Sequence, residues 1–232
     1  MSEDVRAEET DAREGAAATR KAVAALRAAL FDGDLAPGQR LVEGDLAEMY
    51  GISRASVRAA LIDLAADGLV ERIPNRGARV RVVSVAEAVA ITECRMVLEG
   101  LCAAKAAEQA TDQQIAVLTG LGEQMEDAVA GGDPLKYSAL NRELHRLVRE
   151  YATQPVASAL LDRLNGQIVR HQFQLSLRPG RPQQSLPQHL AIIDAIAGRR
   201  PAEAEEATRR HLRSVITALL AGQEGAQRGG QS

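Results

Sequence analysis

Strand-like alternation of apolar and polar residues is confined to one short stretch of this chain, and no other feature constrains the fold as much. Leu69-Val-Glu-Arg-Ile73 is a strand candidate and Pro74-Asn-Arg-Gly77 a turn. Ala78-Arg-Val-Arg-Val-Val83 alternates small or apolar residues with basic ones, as a half-exposed strand does. On both sides of this stretch the apolar spacing is helical. Hydrophobic residues make up 46% of the 232, yet only 2% are aromatic and none is Trp. The core is therefore Leu, Val, Ile and Ala, a mix that favours helices. The expected fold is mainly α, with a single small β-hairpin.

Three helices precede that hairpin. The first covers about residues 19–31, with Val23, Leu26 and Leu30 on one face, and stops at the turn signal Asp32-Gly33. Residues 35–41 make a tight connection, and a short helix over about 43–50 turns Leu46, Ala47 and Tyr50 inward. Gly51–Gly68 then reads as a turn, a helix and a stop. Ser53 has the hydroxyl that an N-cap needs. Val57, Ala60, Leu61 and Leu64 make the apolar face, Arg54 stands at the helix start, and Arg58 points elsewhere. Gly68 suits the left-handed residue that ends a helix. An amphipathic helix with a basic start, behind a short helix and a glycine turn, has the form of the second helix of a helix-turn-helix. With the hairpin it makes a winged helix-turn-helix over residues 17–83, Arg76 standing at the wing tip.

From residue 84 to about 222 the pattern is helical. Ser84, with Glu87 three residues on, forms a capping box. Gly- and Pro-containing breaks delimit six helices, at about 85–109, 112–130, 134–150, 155–177, 186–198 and 201–221. They imply an all-α antiparallel bundle over residues 84–222. Residues 1–16, acidic and polar, read as a disordered tail. Residues 223–232, rich in Gly and Gln, read as a flexible one.

Net charge is −3, so bulk charge does not make the chain a polyanion binder. Residues 1–14 hold six acidic and two basic side chains, however, while residues 51–83 hold six Arg against three acids. A local basic surface binds DNA whatever the net charge. Cys94 and Cys102 fall about two turns apart on one helix, too far for a disulfide. They read as reduced core residues of a cytoplasmic protein. The acidic N-terminus lacks the apolar run of a secretory leader, and no run reaches the ~20 apolar residues that span a bilayer. No membrane partner is expected.

The order of elements and specific residues resemble the GntR family of bacterial transcription regulators. The carriers, within about residues 22–82, are Gly33-Asp-Leu-Ala-Pro-Gly-Gln-Arg-Leu41, Glu43, Leu46-Ala47, Gly51-Ile-Ser-Arg54, Val57-Arg58, Ala60-Leu61, Leu64, Asp67-Gly-Leu-Val70 and Pro74-Asn-Arg-Gly77. The helical half resembles the FadR-type effector-binding domain, called FCD, through Arg95-Met-Val-Leu-Glu99. The resemblance implies a homodimer that presents two recognition helices to a near-palindromic double-stranded operator. Carried over, Arg54 and Arg58 are the expected DNA contacts, because an Arg fork matches guanine O6 and N7 or a phosphate. Ser53 and Ser56 add hydroxyls, Arg76 and Gly77 lie on the wing, and Arg40 touches a phosphate. Relatives often carry a basic residue before the second helix, where this chain has Glu43-Gly44-Asp45.

Four histidines occur, His145, His171, His189 and His211. Asn141 and His145 are four apart, on one helix face. With His189 and His211 on two further helices, three helices can deliver one oxygen and three imidazoles to one point. Such a donor set suits zinc first, and also nickel, manganese or iron, with positions left for water or a ligand. The metal-binding FCD subgroup has a carboxylate, a His four residues later and two more His on later helices. This chain matches at His145, His189 and His211 and departs at Asn141, where the subgroup has Asp. His171 matches no role. Arg95 matches the subgroup's basic residue near the metal and is an effector clamp; its spacing to Glu99 equally suits a structural ion pair. The expected function is a DNA-binding regulator, a repressor, controlled by a small carboxylic or sugar acid at a metal site, and not an enzyme. The alternatives are a metal-dependent enzyme and a direct metal sensor using the three-His site.

Overall fold

The computed structural model describes the chain apart from residues 1–2, 33, 74–75 and 230–232. It describes residues 3–14, 31–32 and 223–229 by backbone alone. The chain divides into two compact units, Met1–Val83 and Ser84–Ser232.

In the first unit the order is α1 (Glu3–Asp32), β1 (Arg40–Leu41), α2 (Glu43–Tyr50), α3 (Arg54–Ala66), β2 (Val70–Ile73) and β3 (Gly77–Val80). Leu26 of α1, Leu46 of α2, and Val57, Leu61 and Leu64 of α3 meet in one core with Val80 of β3. Ser53 caps α3 by accepting from the Ser56 amide at 3.0 Å. Ion pairing of Arg27 with Asp67 ties α1 to the end of α3. Two features differ from the sequence reading. First, α1 starts at Glu3 rather than near residue 19, so it takes in most of the stretch read as a disordered tail. The Ala, Glu and Arg that keep this stretch out of a core are strong helix formers. Second, the connection over 35–41 contains a strand, and the wing is three-stranded and antiparallel in the order β1-β3-β2. Arg40 lies opposite Arg79, and Arg79 opposite Glu71, with which it forms an ion pair. A two-residue strand has no period to read and exists only through its partner.

Gly77 explains how β1 gets in. Its φ is +87°, and a Cβ there would run into the carbonyl oxygen of Leu41. The glycine expected to serve close approach to DNA is required by the close approach of β1.

The second unit holds α4 (Val85–Gln109), α5 (Asp112–Ala130), α6 (Pro134–Tyr151), α7 (Pro155–Ser176), α8 (Arg181–Ala197) and α9 (Pro201–Gly229). Ser84 caps α4, Thr111 caps α5 in a reciprocal capping box, and Asp133 caps α6 ahead of Pro134. α4 packs on α9 and also touches α6, α7 and α8. Ala103, Ala106 and Ala107 of α4 meet Ala204 and Ala207 of α9 in the main core, so the two backbones approach closely. Leu118, Met125, Leu144 and Ile196 fill the rest. α8 begins five residues before the expected 186, because Pro182 sits in its first turn, where no amide donor is needed. Pro187 is inside α8 on its exposed face. Cys102 is buried as expected but Cys94 is exposed. Eight residues at 100° each leave the two about 80° apart around the helix. α9 runs on to Gly229 and so covers most of the tail expected from 223. Among the described residues no helix is long and apolar enough to cross a membrane.

Gly77→Ala should destabilise the first unit by about 1–3 kcal/mol, from positive φ plus the clash with Leu41. An earlier urea midpoint for winged-domain unfolding checks it, and an unchanged midpoint would contradict the packing role.

Candidate metal centre and nucleic-acid interface

On α3 the burial pattern separates a packed face from a free one. Ser56, Val57, Ala60, Leu61 and Leu64 are buried, while Arg54, Arg58 and Ile62 are exposed. Arg58 does not stand alone. Its Nε donates to both Glu43 oxygens at 3.0 Å and its Nη2 to Oε2 at 2.7 Å. These hydrogen bonds hold Glu43 below the usual carboxylate range, with Arg72 and Arg54 adding to the field. Exposed pairs are screened and contribute little to stability, so this one orients Arg58 rather than holding the fold. Arg54 lies back over Gly44, where a Cβ would come within 3.4 Å of its Nη2. Ser56 is buried and its hydroxyl lies 2.9 Å from that of Ser53, so both serve the helix start, and only Ser53 is exposed. Arg40 and Arg76 are exposed.

In the helical unit the three expected imidazoles come together. His145 of α6, His189 of α8 and His211 of α9 each offer a ring nitrogen, and these atoms lie within 4.8 Å of one another. The Nε2 atoms of His189 and His211 are 3.3 Å apart. Each Nδ1 is held from behind. Tyr137 hydroxyl lies 2.8 Å from Nδ1 of His189, and Gln188 Oε1 lies 3.0 Å from Nδ1 of His211. Glu99 Oε2 lies 2.9 Å from Nδ1 of His145. A ring whose Nδ1–H donates to Gln188 keeps a bare lone pair on Nε2, and the Glu99 charge beside Nδ1 of His145 favours the same tautomer there. Partners of this kind fix the orientation of metal-binding histidines. Asn141, one turn before His145, has a buried Oδ1 with no hydrogen-bond partner. Three converging imidazole nitrogens are a donor set that a divalent metal uses, and an amide oxygen one turn away on α6 is of a type that could join them.

Burial lowers the pKa of His189 and His211 well below the usual imidazole value, and the neighbouring His145 and Arg181 push the same way, with His189 acting also on His211. Both rings are thus neutral near pH 7, the form that binds metal. Burial alone would raise Glu99, but Arg95 and His145 outweigh it and hold the carboxyl well below the carboxylate range. Burial pushes the Tyr137 hydroxyl up, so it stays protonated, and pushes the Cys102 thiol up to about 11, which keeps it inert. Arg95 donates through Nε to Glu99 at 2.9 Å. With its amide oriented to accept, Gln172 of α7 takes Arg95 Nη1 at 2.6 Å.

Residues 90–214 match the FCD domain family, and residues 18–80 match the model described as bacterial regulatory proteins, gntR family. It is a GntR-family transcription regulator with an FCD domain. The regulator is 28% identical over 181 residues to the HTH-type transcriptional repressor RspR of Escherichia coli K12, covering 78% of this chain and 79% of RspR. It is 28% identical over 212 residues to the HTH-type transcriptional repressor NanR of Salmonella arizonae, covering 79% of this chain and 75% of NanR. Among solved structures, E. coli McbR/YncC has the same fold, with a TM-score of 0.75 at 22% identity over 89% of this chain and 98% of that one.

The regulator brings together three of the four expected donors, His145, His189 and His211, and Asn141 stands one helical turn before His145 on α6. Arg95 reaches this centre through Glu99, the ion pair that its spacing allowed. Sequence reading missed the three residues behind the imidazoles. Tyr137 stood one turn before Asn141 on the same α6 face, Gln188 stood next to His189, and Glu99 closed the Arg95 motif.

Arg58→Ala should weaken operator binding roughly ten- to a hundredfold, the range for losing one bidentate base contact, with folding unchanged. A gel-shift titration at fixed salt checks this.

Proposed function

We propose that this regulator is a cytoplasmic repressor that binds a near-palindromic operator as a homodimer, and that a small carboxylic or sugar acid, bound at a divalent metal in the FCD domain, sets its operator affinity. The observation that carries the reading is the converging imidazole triad with its partners behind it; Asn141, one turn before His145, has a buried oxygen without a partner. His145, His189, His211 and Asn141 would hold the metal, zinc first, with nickel, manganese or iron also suited to three nitrogens and an oxygen. When bound, the metal supplies a positive charge with open positions for an acid's carboxylate. Glu99 keeps His145 in register, and Arg95 keeps Glu99; a direct contact of Arg95 with the acid is the further role proposed for it. Arg54, Arg58, Ser53, Arg76 and Arg40 would face the operator, and the names of RspR and NanR favour repression.

Direct metal sensing is the second reading, and one observation favours it. The cavity beside His145, lined by Glu99, Cys102, Leu144 and Ile192 among others, measures about 10 Å³. That is room for about one water, so no acid fits on this side of His145.

The test is metal titration of the full chain by calorimetry, followed by operator gel shifts with and without chelator and a carboxylic-acid panel. One metal per chain is expected. His189→Ala and His211→Ala should abolish tight binding, Glu99→Gln should weaken it about ten- to a hundredfold, and Asn141→Asp should tighten it. An acid effect lost on chelation supports the proposal; a metal effect with no acid effect supports the sensor; no metal binding overturns both.

A further inference from the structure

We infer that the regulator carries a second ligand site, an oxyanion pocket between the turn from α7 to α8 and the facing side of α9, built on Arg181 and Arg178. Among the described residues two arginines are almost wholly buried, Arg95 at 5% exposure and Arg181 at 7%. Arg95 is neutralised by Glu99. Arg181 has no such partner. Its Nη1 donates to the Ser214 hydroxyl at 3.0 Å, a neutral acceptor. Its Nη2 is buried without any hydrogen-bond partner, and no carboxylate of the described residues pairs with it. A buried cation without a counter-charge is costly, far more so than a buried ion pair. The missing charge therefore comes from outside the chain.

A cleft of about 460 Å³ adjoins this guanidinium, lined by Leu175, Arg178, Arg181, Gln184, Ser214 and Thr217 among others. Its size suits a small organic ligand. Arg178 adds a second positive charge. Its Nη1 donates to the Ala218 carbonyl at 2.5 Å, and its guanidinium lies across Gly222, where any side chain would collide with it. Arg181 is the first residue of α8, whose preceding Gly180 has φ +77° and supplies no side-chain cap. The α8 dipole adds its positive end near Arg181. Burial pulls the Arg181 pKa below the usual arginine range; Tyr137 opposes this and the like charge of Arg178 adds to it. An entering carboxylate or phosphate would draw the Arg181 guanidinium toward the cleft, pair with its Nη2 donors and relieve that repulsion. Leu175 and the small residues of α9 leave an apolar wall for the ligand's body.

The cleft lies on the helices that carry two of the imidazoles. Arg181 is eight residues before His189 on α8, and Ser214 three residues after His211 on α9. An occupant would bridge α8 and α9 through Arg181 and Ser214; Arg181 acts on His189 and His211 only through its charge, so the response of the His189→Ala variant separates this site from the metal reading.

The experiment titrates the full-length chain with inorganic phosphate, with acetate and with chloride at matched ionic strength, followed by thermal shift and calorimetry. Saturable stabilisation by phosphate or acetate, absent with chloride, is expected, and the stronger of the two tells which oxyanion the pocket takes. Arg181→Gln should weaken binding at least tenfold while leaving the ligand-free Tm equal or higher, because it removes an unpaired charge. Should Arg181→Gln not fold, Arg178→Gln at the cleft decides, with a several-fold loss expected. His189→Ala should keep the full response. No saturable oxyanion binding, or equal binding by the wild-type chain and the arginine variants, would overturn the inference.

Discussion

His189 is 1% exposed in a bundle of Leu, Ile and Ala, where a buried polar atom left unpaired costs about 1–3 kcal/mol. Satisfying it recruits Tyr137, and the recruitment does not stop there. His211 beside it needs Gln188, His145 needs Glu99, Glu99 needs Arg95, and Arg95 needs Gln172. The result is one connected polar network touching α4, α6, α7, α8 and α9. A network in low dielectric specifies geometry in a way that an aliphatic core cannot, because a half-satisfied version is worse than none. Each helix must present one particular face to the centre. The alanine seam between α4 and α9 is then permissive, bringing backbones close, while the polar centre sets rotation and register.

Much of this was legible in the sequence, for local reasons. α2, α4 and α5 have the bounds expected of them because their ends carry glycine, capping hydroxyls or acids at defined offsets. Asn141 and His145 were legible as one face of α6 because i, i+4 spacing on a helix is geometry, whereas His189 and His211 were pointed to by the resemblance to the FCD subgroup. What was not legible depended on partners distant in sequence. β1 exists through β3, and Gly77 shows its requirement only once Leu41 is beside it. Pro182 reads as a breaker until its place in a first turn is known. Cys94 reads as core until the 80° drift over two turns is counted. Tyr137, Gln188 and Glu99 are ordinary residues in sequence, and only the folded bundle makes them the supports of the imidazoles.

The recognition helix shows the same interplay at the surface. An acid in α2 would at first sight oppose DNA binding. Glu43, however, grips Arg58 by its Nε edge and leaves a guanidinium nitrogen, Nη1, directed away from the grip. Arg58 is thereby held extended from α3, and less conformational freedom remains to be lost when a partner is met. The departure from the basic residue common before the second helix is thus tied to a defined pose of Arg58.

As a metal ligand Asn141 would contribute an oxygen but no charge. With three neutral imidazoles and an amide, the proposed donor set leaves the full double charge of a divalent ion uncompensated at the bundle centre, since Glu99 is already balanced by Arg95. Two ligands at such a centre are thermodynamically tied: an acid that cancels the charge raises the hold on the metal by the same factor by which the metal raises the hold on the acid. A carboxylate at 141 would loosen that reciprocity by supplying part of the cancellation permanently. In this chain, metal occupancy itself would then follow the supply of the acid.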